Sequence, residues 1–179
     1  MNFNRIETEI GIIHFCRGPK TTELSKRAFQ TQIIQGLIRE AGYSSHEIKY
    51  KSSGQPYFEG ENMPFLSISH SENYGAIYIA KCPIGIDIQT YHPRISDGKN
   101  YFINANEIQF LSYQELHIVW AVKEAIFKSL EGEITNARQE LTVTKIDVDS
   151  MTVHAHAGLE RKQLGYLCTT EFVIAYSID

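Results

Sequence analysis

Nothing in these 179 residues runs apolar for long enough to span a bilayer, which takes about 18–20 consecutive apolar residues. The N-terminus, Met1-Asn2-Phe3-Asn4-Arg5-Ile6-Glu7, is too polar for a signal peptide and too acidic for a transit peptide. Cysteine is scarce: Cys16, Cys82 and Cys168 are odd in number, far apart and without a CxxC spacing. That argues against a disulfide framework or a zinc knuckle, and free thiols in a reducing cytoplasm are expected. A net charge of −4 and a pI near 6.0 supply no general basic surface for nucleic acid. No Walker loop, dinucleotide fingerprint or GxSxG elbow occurs. ATP, NAD and Ser-His hydrolase chemistry therefore lack motif support.

What is present is close to the globular average, with 42% hydrophobic and 21% charged residues. The length suits one ordinary domain or two small lobes. A chain of this size buries roughly 70% of its unfolded surface, so it needs no staple.

Alternation in Ile10-Gly11-Ile12-Ile13-His14-Phe15 predicts a first strand. From Thr22 to Ala41 the apolar positions Leu24, Ala28, Ile33, Ile34, Leu37 and Ile38 recur at helical spacing, with Thr21 or Thr22 as cap and Gly42 as stop. A short strand at Ile48 to Lys51 precedes the turn Ser52-Ser53-Gly54-Gln55-Pro56. Strands follow at Phe65 to Ser69, Ala76 to Lys81 and Ile84 to Gln89. Then come a helical stretch at Ala105 to Ser112 and a long helix at Glu115 to Glu131, stopped by Gly132. The remainder alternates as strands: Leu141 to Val148, Met151 to Ala157, Gly165 to Thr170 and Phe172 to Ile178. Consecutive strands without intervening helices favour α+β. Each half reads as a helix plus a few strands, with a hinge near Thr90 to Gly98.

Three segments carry chemistry. In Ile84-Gly85-Ile86-Asp87-Ile88-Gln89, a strand turns the isoleucines one way and Gly85, Asp87 and Gln89 the other. The second face offers a carboxylate and an amide, donors suited to a hard cation, or simply a solvated strand face. On the long helix, Val119, Val122, Ile126 and Leu130 form the apolar stripe, while Trp120, Glu124 and Lys128 share another side. Glu124 and Lys128 could equally be a surface ion pair. In Phe65-Leu66-Ser67-Ile68-Ser69-His70-Ser71, hydroxyls and an imidazole gather where a strand ends.

In this order and spacing, the segments resemble the 4′-phosphopantetheinyl transferase superfamily. The likeness runs through Gly54-Gln55-Pro56-Tyr57, Ser67-Ile68-Ser69-His70-Ser71, Gly85-Ile86-Asp87-Ile88 and Trp120-Ala121-Val122-Lys123-Glu124-Ala125-Ile126-Phe127-Lys128. Glu107 resembles an acid that the family carries between its last two blocks. The resemblance covers residues 50 to 132 well and the two ends loosely.

It implies an α+β fold of two similar lobes, 1–92 and 93–179, each a helix on a small, mainly antiparallel sheet, with the active-site cleft between them. It implies Mg²⁺-dependent transfer of the phosphopantetheine arm of coenzyme A to a serine of an apo acyl or peptidyl carrier protein. Adenosine 3′,5′-bisphosphate is the product released. A cytoplasmic monomer is expected, with neither nucleic acid nor membrane as partner. By resemblance, Asp87 and Glu124 hold Mg²⁺, with Gln89 where the family commonly has a second acid. Glu124 or Glu107 acts as base, and Lys128 contacts a phosphate and neutralises the leaving group. Ser69, His70, Lys26 and Arg27 bind coenzyme A. Two departures stand out: Gln89 removes a negative charge, and Gln55 replaces a basic residue, which Lys51 or Lys81 could supply instead. These departures leave a second reading, a relative that binds coenzyme A or a carrier protein without modifying it.

Overall fold

The structure is a computed structural model that describes residues 1–19, 25–131 and 133–178. It is an α+β fold with two antiparallel sheets. The first has strand order β1-β2-β6-β5-β4-β3, from β1 (Asn2–Glu7), β2 (Gly11–Arg17), β3 (Ile48–Tyr50), β4 (Pro56–Phe58), β5 (Phe65–Ser71) and β6 (Tyr74–Ala80). The second has order β7-β11-β10-β9-β8, from β7 (Ile86–Thr90), β8 (Leu141–Asp147), β9 (Thr152–Ala157), β10 (Glu160–Cys168) and β11 (Phe172–Ser177). Two helices are long, α1 (Lys26–Glu40) and α3 (Tyr113–Ser129), and two are single turns, α2 (Ile95–Gly98) and α4 (Ala137–Glu140). Among the described residues no helix is long and apolar enough to cross a membrane.

Three apolar layers order these elements. Phe29, Ile33 and Leu37 of α1 pack on Leu66, Ile77 and Ile79 of the first sheet. The other face of that sheet, through Ile13, Ala76 and Tyr78, meets Ile86, Ile88 and Ile174 of the second. Beyond it, Val119, Val122 and Ile126 of α3 cover Val143, Val153 and Val173. The expected isoleucine stripe of β7 is thus the inter-sheet core. Its opposite face looks toward α3, where a Cβ on Gly85 would lie 1.8 Å from the Ala125 carbonyl oxygen. Only glycine permits that approach, and it brings α3 down onto β7.

The edge of β7 explains how the sheets are joined. β7 pairs on one side only, with β11, so the N–H groups of Ile86, Ile88 and Thr90 need other acceptors. Ser67, Ser69 and Ser71, at alternate positions on one face of β5, supply them. Their hydroxyl oxygens accept from Ile86 at 3.1 Å, Ile88 at 3.1 Å and Thr90 at 3.0 Å. The alternation of β5, with Leu66 and Ile68 packed toward α1 and serines toward β7, makes this seam.

Several boundaries differ from the sequence reading. Helix α1 starts at Lys26, capped by Ser25, whose hydroxyl accepts from Ala28 N. Thr21, Thr22 and Leu24 lie outside the described residues, as does Gly132. The stretch Ala105 to Ser112 holds only a 3₁₀ turn at Ala105–Glu107, because α3 begins separately under its own Ser112–Glu115 capping box. β1 and β4 were not anticipated. β7 lies before the expected boundary at 92/93 yet pairs with β11, so the chain changes sheet at residues 81–85.

Candidate functional site

Asp87 is the centre of the site. It is 3% exposed, and a buried carboxylate persists only when hydrogen-bonded. Three donors meet it at 2.7 Å each: the Ser69 hydroxyl and the Lys128 ammonium on Oδ1, and the Gln89 amide on Oδ2. A carboxylate only accepts, so the nitrogen end of Gln89 must face it. Lys128 also donates to the Ile86 carbonyl at 2.9 Å, tying the end of α3 to the edge of β7. One turn earlier on the same side of α3, burial and the Asp87 charge push the Glu124 carboxyl above its ordinary value, and Lys128 partly offsets them. No hydrogen bond contributes to that shift.

These groups open into a cleft of about 1130 Å³. Its lining combines α1, the β3–β4 hairpin, the end of β5, β7 and α3. Asp87, Gln89, Glu124, Lys128, Ser69 and His70 all border it, as does Trp120, whose ring meets Phe102 edge-on at 4.8 Å. Four sequence segments converge there. Ile34, Ile38, Ile68 and Pro56 supply apolar wall. Arg27 lines the cleft; Lys26, exposed beside it, does not.

Arg39 and His46 also line the cleft and escaped the sequence reading. Their signal was present in part: Arg27, Thr31, Ile34, Ile38 and Arg39 share the i, i+4, i+7, i+11, i+12 spacing of one helical face. Of the replacement cations considered for Gln55, Lys51 is paired with Glu131 at 2.7 Å, and Lys81 is not in the cleft lining. A second hollow, about 710 Å³, is bordered by Glu133, Glu140, Glu160 and His156 and, among the described residues, by no lysine or arginine. Its acidic lining is unsuited to a phosphorylated ligand.

Glu107 is not brought to the cleft. It is 0% exposed and fully engaged: Oε1 accepts from Val143 N at 2.6 Å, and Oε2 from Asn104 N at 2.9 Å and Lys123 Nζ at 2.7 Å. Lys123, itself 1% exposed, gives a second bond to the Phe102 carbonyl at 2.6 Å. Burial lowers the pKa of the Lys123 ammonium against the pull of Glu107. The expected role of Glu107 as a base gives way to a structural one: it locks the 102–107 segment to α3 and β8.

Among the described residues, no group of three or more His, Cys, Asp or Glu side chains is placed to hold a metal ion. The donors present in the cleft are the two carboxylates of Asp87 and Glu124, and Mg²⁺ is a cation that takes one or two carboxylates and completes its shell with water and substrate phosphates. The like charges of Asp87 and Glu124 give such a cation its electrostatic reason.

Two substitutions test this division of labour. Glu107→Gln leaves the Lys123 ammonium buried without its counter-charge and is expected to cost about 3–5 kcal/mol of stability by denaturant unfolding. A loss under about 1 kcal/mol would remove the structural role. Glu124 works in the opposite sense. A carboxyl raised in the folded state binds its proton more tightly there than in the unfolded chain, so stability falls as pH rises above 4.5. Glu124→Gln is therefore expected to melt above wild type at pH 7, with the difference fading below pH 4.5. A variant that melts lower at pH 7 would contradict the burial of a charged group there.

In comparisons with known proteins, no family model matches the chain and no curated protein matches it.

Proposed function

We propose that this chain is a Mg²⁺-dependent 4′-phosphopantetheinyl transferase, with two lobes of the surfactin-type arrangement and the cleft as its active site. The supporting observation is the convergence on one cleft of Asp87, Glu124 and Lys128 with His70, Arg27 and Arg39. Two carboxylates face a set of cations beside an apolar wall, which suits a pyrophosphate diester carrying a long, weakly polar arm.

Asp87 and Glu124 would hold the metal, which supplies charge neutralisation for the pyrophosphate. Lys128 has one N–H left after bonding Asp87 and Ile86, and that proton is available to a phosphate oxygen. In the reaction, the carrier serine oxygen forms a bond to the phosphorus on the pantetheine side. The bridging P–O bond breaks, and its electron pair leaves on adenosine 3′,5′-bisphosphate. Glu124 takes the serine proton, directly or through water; its raised carboxyl pKa suits a group that must accept one. Lys128 neutralises the departing oxygen. His70, Arg27 and Arg39 anchor the remaining phosphate of coenzyme A, and Ile34, Ile38 and Trp120 line the path of its organic part.

One feature favours the second reading, a relative that binds without transferring. Gln89 contributes an amide to Asp87 where another carboxylate would add charge for the metal.

Intact mass of several apo carrier proteins, after incubation with this protein, coenzyme A and Mg²⁺, separates the two. The expected result is a gain of one phosphopantetheine, abolished by chelator and reduced about a hundredfold or more in rate by Asp87→Ala or Glu124→Gln. Coenzyme A binding without mass gain would establish the non-transferring relative.

A further inference from the structure

The family resemblance assigns Ser69 to coenzyme A, but the hydrogen bonds assign it elsewhere. A serine hydroxyl has one proton and two lone pairs. Ile88 N–H donates to Oγ at 3.1 Å, which uses one lone pair. The proton goes to Asp87 Oδ1 at 2.7 Å. With Ser69 5% exposed, only an acceptor site remains, and an anionic phosphate has no proton to give it.

We propose that Ser69 is a positioning residue for the Asp87 carboxylate and not a contact to a phosphate of coenzyme A. Ser69 and Lys128 together fill both acceptor sites of Oδ1, while Gln89 fills one of the two on Oδ2. The rotation of the carboxylate is thus set from three elements, β5, β7 and α3. The one acceptor site left open among the described residues is on Oδ2, where a cation can bind. Ser69 is itself held in place by the seam, because the β7 backbone fixes its oxygen and so directs its proton.

The neighbouring rungs provide the control. Ser67 accepts from Ile86 N in the same way but, among the described residues, bonds no carboxylate, and Ser71 pairs with the Thr90 hydroxyl at 2.9 Å. A seam that served only to join the sheets would make Ser67 and Ser69 equivalent.

The inference rests on the metal-dependent transferase reading, so its test reads metal binding as well as turnover. Mg²⁺ binding is measured by calorimetry, with and without coenzyme A, for wild type, Ser67→Ala, Ser69→Ala and Ser69→Thr, alongside transfer kinetics and melting curves. Ser69→Ala is expected to weaken Mg²⁺ about tenfold or more and to lower kcat while KM for coenzyme A stays within about twofold. Ser69→Thr keeps the hydroxyl and should restore Mg²⁺ affinity to within about threefold of wild type. Ser67→Ala should leave it unchanged. Should Ser69→Ala fail to fold, Ser69→Cys, close in size but a weak donor, carries the test with the same expected loss.

Unchanged Mg²⁺ affinity with a raised KM for coenzyme A would make Ser69 a substrate contact and overturn the inference. Equal losses in Ser67→Ala and Ser69→Ala would reduce it to a seam residue and overturn it too. A wild type that binds Mg²⁺ but transfers nothing, with Ser69→Ala still weakened, would support the inference while refuting the transferase reading. A wild type that binds no Mg²⁺ would refute both.

Discussion

The seam between β5 and β7 joins the two sheets through three serine hydroxyls and carries the cleft's central carboxylate. An edge strand with unpaired N–H groups is normally covered, charged or paired with another strand. Here it is docked against the face of another sheet, and serine hydroxyls stand in for strand partners. This solution requires three serines at alternate positions and an edge strand that crosses at matching spacing. It also places polar groups in the space between two sheets that are otherwise joined by isoleucine and tyrosine. The middle rung then continues into the cleft, because the same hydroxyl that accepts from β7 donates to the carboxylate beside it.

Charge in the cleft follows from that placement. Gly85 lets α3 rest on β7, which brings Lys128 onto Asp87 and sets Glu124 close enough to feel the same negative charge. A raised carboxyl next to a hydrogen-bonded one is a common way for one site to separate a proton acceptor from a fixed anion. The fold therefore tolerates an unfavourable charge at Glu124 and offsets it with the buried cores on either side of the second sheet. The other buried acid, Glu107, shows the contrast: it has three partners, one of them a lysine, and no solvent, and it acts as a bolt.

Local features of the fold were readable and long-range ones were not. The isoleucine alternation at 84, 86 and 88 identified a strand, its buried face and the face that carries Asp87 and Gln89. The helical stripe at Val119, Val122 and Ile126 did the same for α3. Pairing of β7 with β11 joins segments more than eighty residues apart, and nothing local in either strand encodes it. β1 escaped notice because it is exposed along most of its length and so lacks alternation. Glu107 was misread because motif position says where an acid lies in the chain, whereas its role depends on Lys123 and Val143 closing over it. The positioning role proposed for Ser69 likewise depends on where its one proton goes, which its motif does not encode.

In the proposed site, Asp87, Glu124 and Lys128 form the pyrophosphate end of a coenzyme A cleft. A crystal structure of the protein with coenzyme A and Mg²⁺ tests it most directly. The pyrophosphate and metal are expected against Asp87 and Glu124, with the pantetheine arm running along the Ile34, Ile38 and Trp120 side of the cleft. Coenzyme A bound in the acidic hollow near Glu133 and His156, or with its pyrophosphate away from both carboxylates, would contradict it.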